Sequence, residues 1–586
     1  MHNGAGRDRP VPKGEGHIAY ADEAARALLA GHEGRLFCPR SSGWKQVKQN
    51  ASRTVFRGRI GEVEVYLKQF HNPSPGHRLL RRLGNSDAMR ELRFARHLAA
   101  HGVPTAPPLA AYCHEDVEWL ATRAVTDTQP ADAWHAAQIG RGRAGDRPIR
   151  RALCRLAELV GKMHAAGMLH SDLHCGNVLV RGGANEVALV LMDLHRAHLR
   201  RRLGRRARAA NLAQLFYDRL HFTTRTQRLR FLKHYLLASG AEGSLRGWQL
   251  MVEHFAQMHT RRQLRQRDRR VFGSGKYFAR LTLPDHWRAH VVLDSKRSLA
   301  GSRAAELSLS ADDWRQALAG PEALLTGEHV EIVKDSPSSL VVRRRLQVGS
   351  HTLDVFVKRV RRKRRWKALP DCFRRSRPVR NFALGHALLT RRIATALPLA
   401  ALERRVGCIL TDSILVTEAV AAPRLNDFLD TWLARPARGD TALNVPQQRQ
   451  LAQAVLWQLG RVLRRLHDNR FAHRDLKATN LLVRWSQETS PEVVLVDLDG
   501  LTRRLFLTAR RRFQGLMRLN VSLLKCPVVN RAGRLRMLMG YLRRLGSGRV
   551  HFKPYWRVLE DWSARKLRQQ IRARRKRQKA ARRPAP

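Results

Sequence analysis

The sequence predicts an α+β fold built twice, as two tandem two-lobed domains. Three observations carry that prediction: a long internal repeat, strands of alternating polarity followed by long amphipathic helices, and a short apolar run in each copy that ends in an aspartate. Length agrees, because 586 residues at about 150 per domain exceed a single small module.

The repeat is plainest where the segment from His164 to Val180 returns as the segment from His467 to Val483, both keeping a His-x-Asp-x-x-x-x-Asn frame. Upstream, Val63 to Lys68 returns as Leu353 to Lys358, and downstream, the run ending in Asp193 returns as the run ending in Asp497. Within each copy the elements follow in order. Val63, Val65 and Leu67 alternate with Glu64, Tyr66 and Lys68, the pattern of a half-buried strand. Leu153, Leu156, Val160 and Met163 recur at helical spacing before His170, as Leu451, Val455, Leu459, Leu463 and Leu466 do before His473. Each copy thus runs strand with lysine, helix, strands, long helix, polar loop, strand with aspartate. That order is the order of the two-lobed protein-kinase-like fold. The expected boundaries are an N-terminal extension at 1–35, domains at 36–295 and 323–560, a linker at 296–322 and a basic tail at 561–586.

Charge narrows the partners. The chain carries 110 Lys plus Arg against 48 Asp plus Glu, a net charge of +62, while 43% hydrophobic residues exclude a disordered polycation. Such a surplus suits a polyanion: nucleic acid, an anionic membrane surface or a phosphorylated glycan. The densest run, Arg565 to Arg583, holds no aromatic side chain on which a base could stack, which favours anionic lipid over nucleic acid. Seven scattered cysteines without a CxxC pair argue against a zinc ribbon or a disulfide framework and for a reducing compartment. No apolar run has the length of a membrane span, and the N-terminal residues have no apolar stretch of the signal-peptide kind.

The repeated residues fit phosphoryl transfer, which asks a protein to hold phosphates, place metal and align a hydroxyl. Lys68 and Lys358 would hold ATP phosphates, with Glu91 on the following helix fixing Lys68. Asp172 and Asp475 would orient the attacking hydroxyl. Asn177, Asp193, Asn480 and Asp497 would ligate Mg²⁺, a hard cation that favours such oxygens. Two departures set further expectations. Neither copy has a GxGxxG loop, and Gly58 to Gly61 is only a fragment of one. Asn381 stands where the first copy has Glu91, so Lys358 is expected to lack its ion-pair partner and the first copy to be the stronger kinase. His174 reads as a packed loop histidine, whereas its counterpart Lys477 reads as a phosphate contact.

The two His-x-Asp-x-x-x-x-Asn loops, Asp193-Leu-His-Arg and Asp497-Leu-Asp-Gly resemble the lipopolysaccharide kinase family, the Kdo- and heptose-kinase group, over most of both halves. The resemblance implies ATP and Mg²⁺ as cofactors and transfer to a Kdo or heptose hydroxyl of an anionic glycolipid, the lipopolysaccharide inner core. It also implies a peripheral position on the cytoplasmic face of the inner membrane. Two other readings compete. A protein kinase is favoured by His473-Arg-Asp-Leu-Lys477 and opposed by the missing Ala-Pro-Glu after either aspartate. A non-catalytic tandem scaffold or nucleic-acid-binding protein is favoured by the charge and by Asn381.

Overall fold

Alternation at Val63–Phe70 becomes a strand with Val65 and Leu67 buried, placed centrally in a six-stranded antiparallel sheet. The sheet runs in the order Ala19–Tyr20, Pro108–His114, Val117–Arg123, Val63–Phe70, Arg53–Ile60, Lys45–Gln49. This computed structural model describes residues 18–49, 52–71, 76, 85–114, 117–141, 145–182, 186–217, 223–294, 307–361, 374–434, 445–486, 489–526, 528–543 and 551–581. Parts of the expected extension (1–17), linker (296–306) and tail (582–586) lie outside them, as does Cys372.

The chain divides into two compact units, residues 1–262 and 263–586. In the first, helix Asp87–Ala100 packs on the sheet. Ser86 caps it, its Oγ accepting from the Met89 amide, and Ala88, Leu92, Ala95 and Leu98 face the core together with Glu91. Below the sheet, helix Asp146–Ala165 buries Leu156, Val160 and Met163 in a second apolar core. Helices Arg205–Tyr217 and Arg225–Ser239 and the part of helix Leu245–Arg270 up to Arg262 complete this lobe. A parallel bridge between Thr105 and Leu191 ties the two lobes of the unit together.

The second unit repeats the plan. Its sheet has seven strands, ordered Phe278–Thr282, Trp287–Val292, Pro398–Val406, Ile409–Glu418, His351–Val360, Ser339–Val348, Glu331–Ser336. Helix Arg377–Leu389 takes the place of Asp87–Ala100, with Ser376 as its cap. Leu451, Val455, Leu459, Leu463 and Leu466 are all buried along helix Val445–Asp468. The bridge between the lobes recurs at Thr395 and Leu495.

Four boundaries fall elsewhere than expected. The two strands within 278–292 belong to the second unit, because they cover the edge of Pro398–Val406 just as Ala19–Tyr20 covers Pro108–His114. Residues 307–322 are core and not linker, with Trp314 and Leu318 fully buried. The basic tail continues helix Lys553–Ala581, whose Leu559 is buried and whose Ser563 Oγ accepts from Asn520 Nδ2 at 2.9 Å. At the other end, helices Glu23–Leu29 and Glu33–Phe37 bury Leu29 and Leu36 in the first unit's core.

Candidate active site

Lys68 sits two residues from the end of its strand, and its Nζ donates to Glu91 Oε1 at 2.6 Å. Both side chains are buried, so neither charge is tolerable without the other. Burial opposes the Lys68 charge, but Glu91 and Asp193 outweigh it and hold the ammonium above its ordinary pKa. Asp193 follows its strand in a left-handed conformation, φ 66°, which turns the carboxylate back toward the lysine, 3.5 Å from Nζ. Three further donors meet it. Arg53 spans both carboxylate oxygens at 2.5 and 2.8 Å, and His195 Nδ1 lies 3.0 Å from Oδ1. Burial would raise the Asp193 pKa, but His195, Arg53 and Lys68 together drive it well below the carboxylate range.

The polar loop is held from behind by its first histidine. The Asp172 amide donates to His170 Nδ1 at 3.2 Å, so Nε2 carries the proton and donates to the Met192 carbonyl at 2.9 Å. Asn177 Nδ2 donates to the Asp172 carbonyl at 2.9 Å, which leaves its amide oxygen for a ligand. The second unit repeats these contacts with His473, Asp475, the Asp497 carbonyl and Asn480. A basic side chain stands beside each loop aspartate: His174 Nε2 is 3.6 Å from Asp172 Oδ2, and Lys477 Nζ is 2.8 Å from Asp475 Oδ2. His174 is therefore no packed loop residue. The neighbouring His174 lowers the Asp172 pKa, and the Asp172 carboxylate raises that of His174.

Lys358 does not lack a partner, contrary to the expectation drawn from Asn381. Its Nζ donates to Asp499 Oδ2 at 2.6 Å and to Asp497 Oδ1 at 3.3 Å. Asn381 Nδ2 donates to the other Asp499 oxygen at 2.6 Å. The carboxylate has moved from the helix to the loop, and the helix amide now positions it. Its signal was present in the sequence as the second aspartate of Asp497-Leu-Asp499. Arg53 and His195 carried no comparable signal.

The units also differ at the metal carboxylate. Arg53 faces Phe70, two residues beyond Lys68, and the corresponding register position opposite Val360 holds Ser339. With no arginine there, the Asp497 side chain is 44% exposed against 15% for Asp193. Both donor sets suit Mg²⁺ in kind: a carboxylate from the strand end and an amide oxygen whose NH₂ is already engaged. In the second unit the carboxylate is open to a cation. In the first, Arg53 already holds it.

A model of the lipopolysaccharide kinase (Kdo/WaaP) family matches residues 45–235 and 338–541, more than half of the chain. The lipopolysaccharide core heptose(I) kinase WaaP of Escherichia coli is 35% identical over 97 residues, 16% of this chain and 37% of that protein. WaaP of Pseudomonas aeruginosa is 37% identical over 93 residues, 15% of this chain and 35% of that protein. The chain thus spans little more than a third of the length of these curated relatives. A solved structure of WaaP in complex with acyl carrier protein aligns at 22% identity and a TM-score of 0.33, over 41% of this chain and 98% of that one.

Proposed function

The chain belongs to the lipopolysaccharide kinase (Kdo/WaaP) family, and from that premise we propose that it is an ATP-dependent phosphotransferase acting on a Kdo or heptose hydroxyl of the lipopolysaccharide inner core. The observation that carries this reading is the doubled constellation: a lysine seated by a carboxylate, a loop aspartate, an asparagine and a strand-end aspartate, brought together in each unit. ATP with Mg²⁺ supplies the phosphoryl group and neutralises the charge that develops on it. Lys68 and Lys358, fixed by Glu91 and Asp499, orient the phosphates. Asn177 with Asp193, and Asn480 with Asp497, are the residues that hold the metal. Asp172 and Asp475 accept the hydrogen bond of the attacking hydroxyl and take its proton at a carboxylate oxygen. His174 and Lys477 lower the pKa values of those carboxylates and so favour their ionised form.

A membrane-peripheral position on the cytoplasmic face belongs to the same reading. Its support is a loop after Asp499 where Leu505 and Phe506 are 84% and 75% exposed, flanked by Arg503, Arg504, Arg510 and Arg511. Apolar tips between arginines suit the boundary of an anionic bilayer. Among the described residues no helix is long and apolar enough to cross a membrane.

The test uses the purified full chain, γ-labelled ATP and separate acceptors: extracted dephosphorylated core glycolipid, peptides and RNA. Label is expected in the glycolipid and is lost in the Asp172→Asn, Asp475→Asn double variant. Label in peptide alone, or tight RNA binding without ATP turnover, overturns the proposal.

A further inference from the structure

We propose that a pocket beside Asp193 of the first unit is an anion-binding site, and that its occupant draws Arg53 off Asp193 and opens that carboxylate to metal. The metal half of this inference rests on the kinase reading, whereas the anion half does not.

The pocket encloses about 390 Å³, and its walls include Arg53, Arg90, Arg196, His195, His198 and Ser171. One carboxylate, Asp87, shares the lining, and Arg90 meets it at 3.8 Å. Arg90 also donates to the Ala197 carbonyl at 3.3 Å, which fixes its head at the wall. Arg196 and His198 are exposed and have no ion-pair partner among the described residues. Three guanidiniums converging on one concavity repel each other, and an anion at their centre relieves that repulsion. Ser52 and Ser171 add neutral donors. The chemistry recognised is a phosphate or a carboxylate group, and the space exceeds what a bare oxyanion needs. Such a group carried on a sugar would fit. Ser171 adjoins Asp172 in the chain, so an occupant also lies beside the loop that orients the hydroxyl.

Arg53 belongs to both the pocket and the metal carboxylate. Its two terminal nitrogens engage both oxygens of Asp193, and Oδ1 also meets Lys68 and His195. A divalent cation must therefore displace a bidentate guanidinium to reach Asp193. An oxyanion in the pocket offers that guanidinium a second bidentate partner without leaving it unpaired. The second unit is the internal contrast, because Ser339 stands at the Arg53 position and Asp497 is open.

The experiment uses the full chain with Asp475→Asn and Asp497→Asn, so that Mn²⁺ followed by electron paramagnetic resonance reports the first unit. Sulfate at constant ionic strength is the probe, since phosphate itself chelates manganese. Sulfate is expected to tighten Mn²⁺ binding about tenfold, the scale of one charged hydrogen-bonded contact. Arg53→Ala should show the tighter affinity without sulfate and no response to it, and Arg53→Lys, which keeps charge but not the fork, should fall between. Arg196→Ala with His198→Ala should abolish the sulfate response. A second arm replaces sulfate with detergent-dispersed core glycolipid. A response at lower concentration assigns the anion to the acceptor, and a response to sulfate alone assigns it to a free oxyanion. An Arg53→Ala affinity equal to the parent, or a sulfate response surviving in Arg196→Ala with His198→Ala, overturns the inference. A sulfate response in a protein that labels no glycolipid would sink the kinase reading and leave the anion site standing.

Discussion

Asp499 shows how one residue can move while its chemistry stays. A buried lysine needs a carboxylate within hydrogen-bond reach, and either the helix or the loop after the strand can supply it. Asp499→Asn should therefore weaken binding of a non-hydrolysable ATP analogue to the second unit by about tenfold to a hundredfold, measured by calorimetry in a chain with Asp193→Asn. Asn381→Glu should weaken it too, because a second carboxylate would press on Asp499 where an amide now donates. Tighter binding in Asn381→Glu would show that the lysine is underserved after all. A pH difference between the units follows from these loop side chains. The His174 pKa is raised by the neighbouring Asp172 carboxylate, so its charge is present below that pKa and is lost as pH rises through it. The second unit has Lys477 at that place. Activity of the first unit should fall as pH rises through that raised value while that of the second changes less, and His174→Lys should remove the difference. Parallel profiles in the two single-unit chains would exclude His174 as the cause.

At the scale of elements, the long closing helices are counterparts. Leu245–Arg270 buries Trp248 and Val252, and Lys553–Ala581 buries Trp556 and Leu559, so each begins as core and turns basic toward its end. Ser563 is the last buried position on the second of them among the described side chains, and it meets Asn520 there. Removing residues 569–586 should change unfolding free energy by less than about 0.5 kcal/mol, as surface deletions do. It should also weaken binding to anionic vesicles and flatten its salt dependence, since each Lys or Arg near such a surface contributes about 1 kcal/mol. Starting the deletion at 553 removes Trp556 and Leu559 from the core and should unfold the second unit. Vesicle binding indifferent to the shorter deletion at every salt concentration would leave the tail as a solvated helix.

For the molecule as a whole, acid is the predicted weakness. His164 and His467 are buried on matching helices, each within hydrogen-bond reach of a tyrosine, Tyr235 at 2.8 Å and Tyr541 at 2.9 Å. Burial pushes both pKa values down to about 4. The unfolded chain takes those protons near 6.5 and the folded one refuses them, so stability is lost as pH falls from about 6.5 toward about 4. Each imidazole should cost about 2 kcal/mol between pH 7 and 5. Urea midpoints at the two pH values measure it, and His164→Gln with His467→Gln should shrink the difference. The net charge of +62 acts in the same direction, because protonating carboxylates removes what balances the arginines.

Two copies, the order of their elements and the residues around each loop are legible in the amino-acid sequence. Those features are local: Val65 and Leu67, or Leu451 through Leu466, announce their faces by spacing, and the His-x-Asp-x-x-x-x-Asn frame closes on itself within eight positions. Tertiary structure alone decided which carboxylate serves Lys358, what clamps Asp193 and where the first unit ends. Asn381 and Asp499, like Arg53 and Asp193, lie more than a hundred residues apart and meet only when the lobes close. The strands within 278–292 are claimed by the second unit because an uncovered edge at Pro398–Val406 is available there. Pairing at such distance is set by geometry that periodicity does not encode.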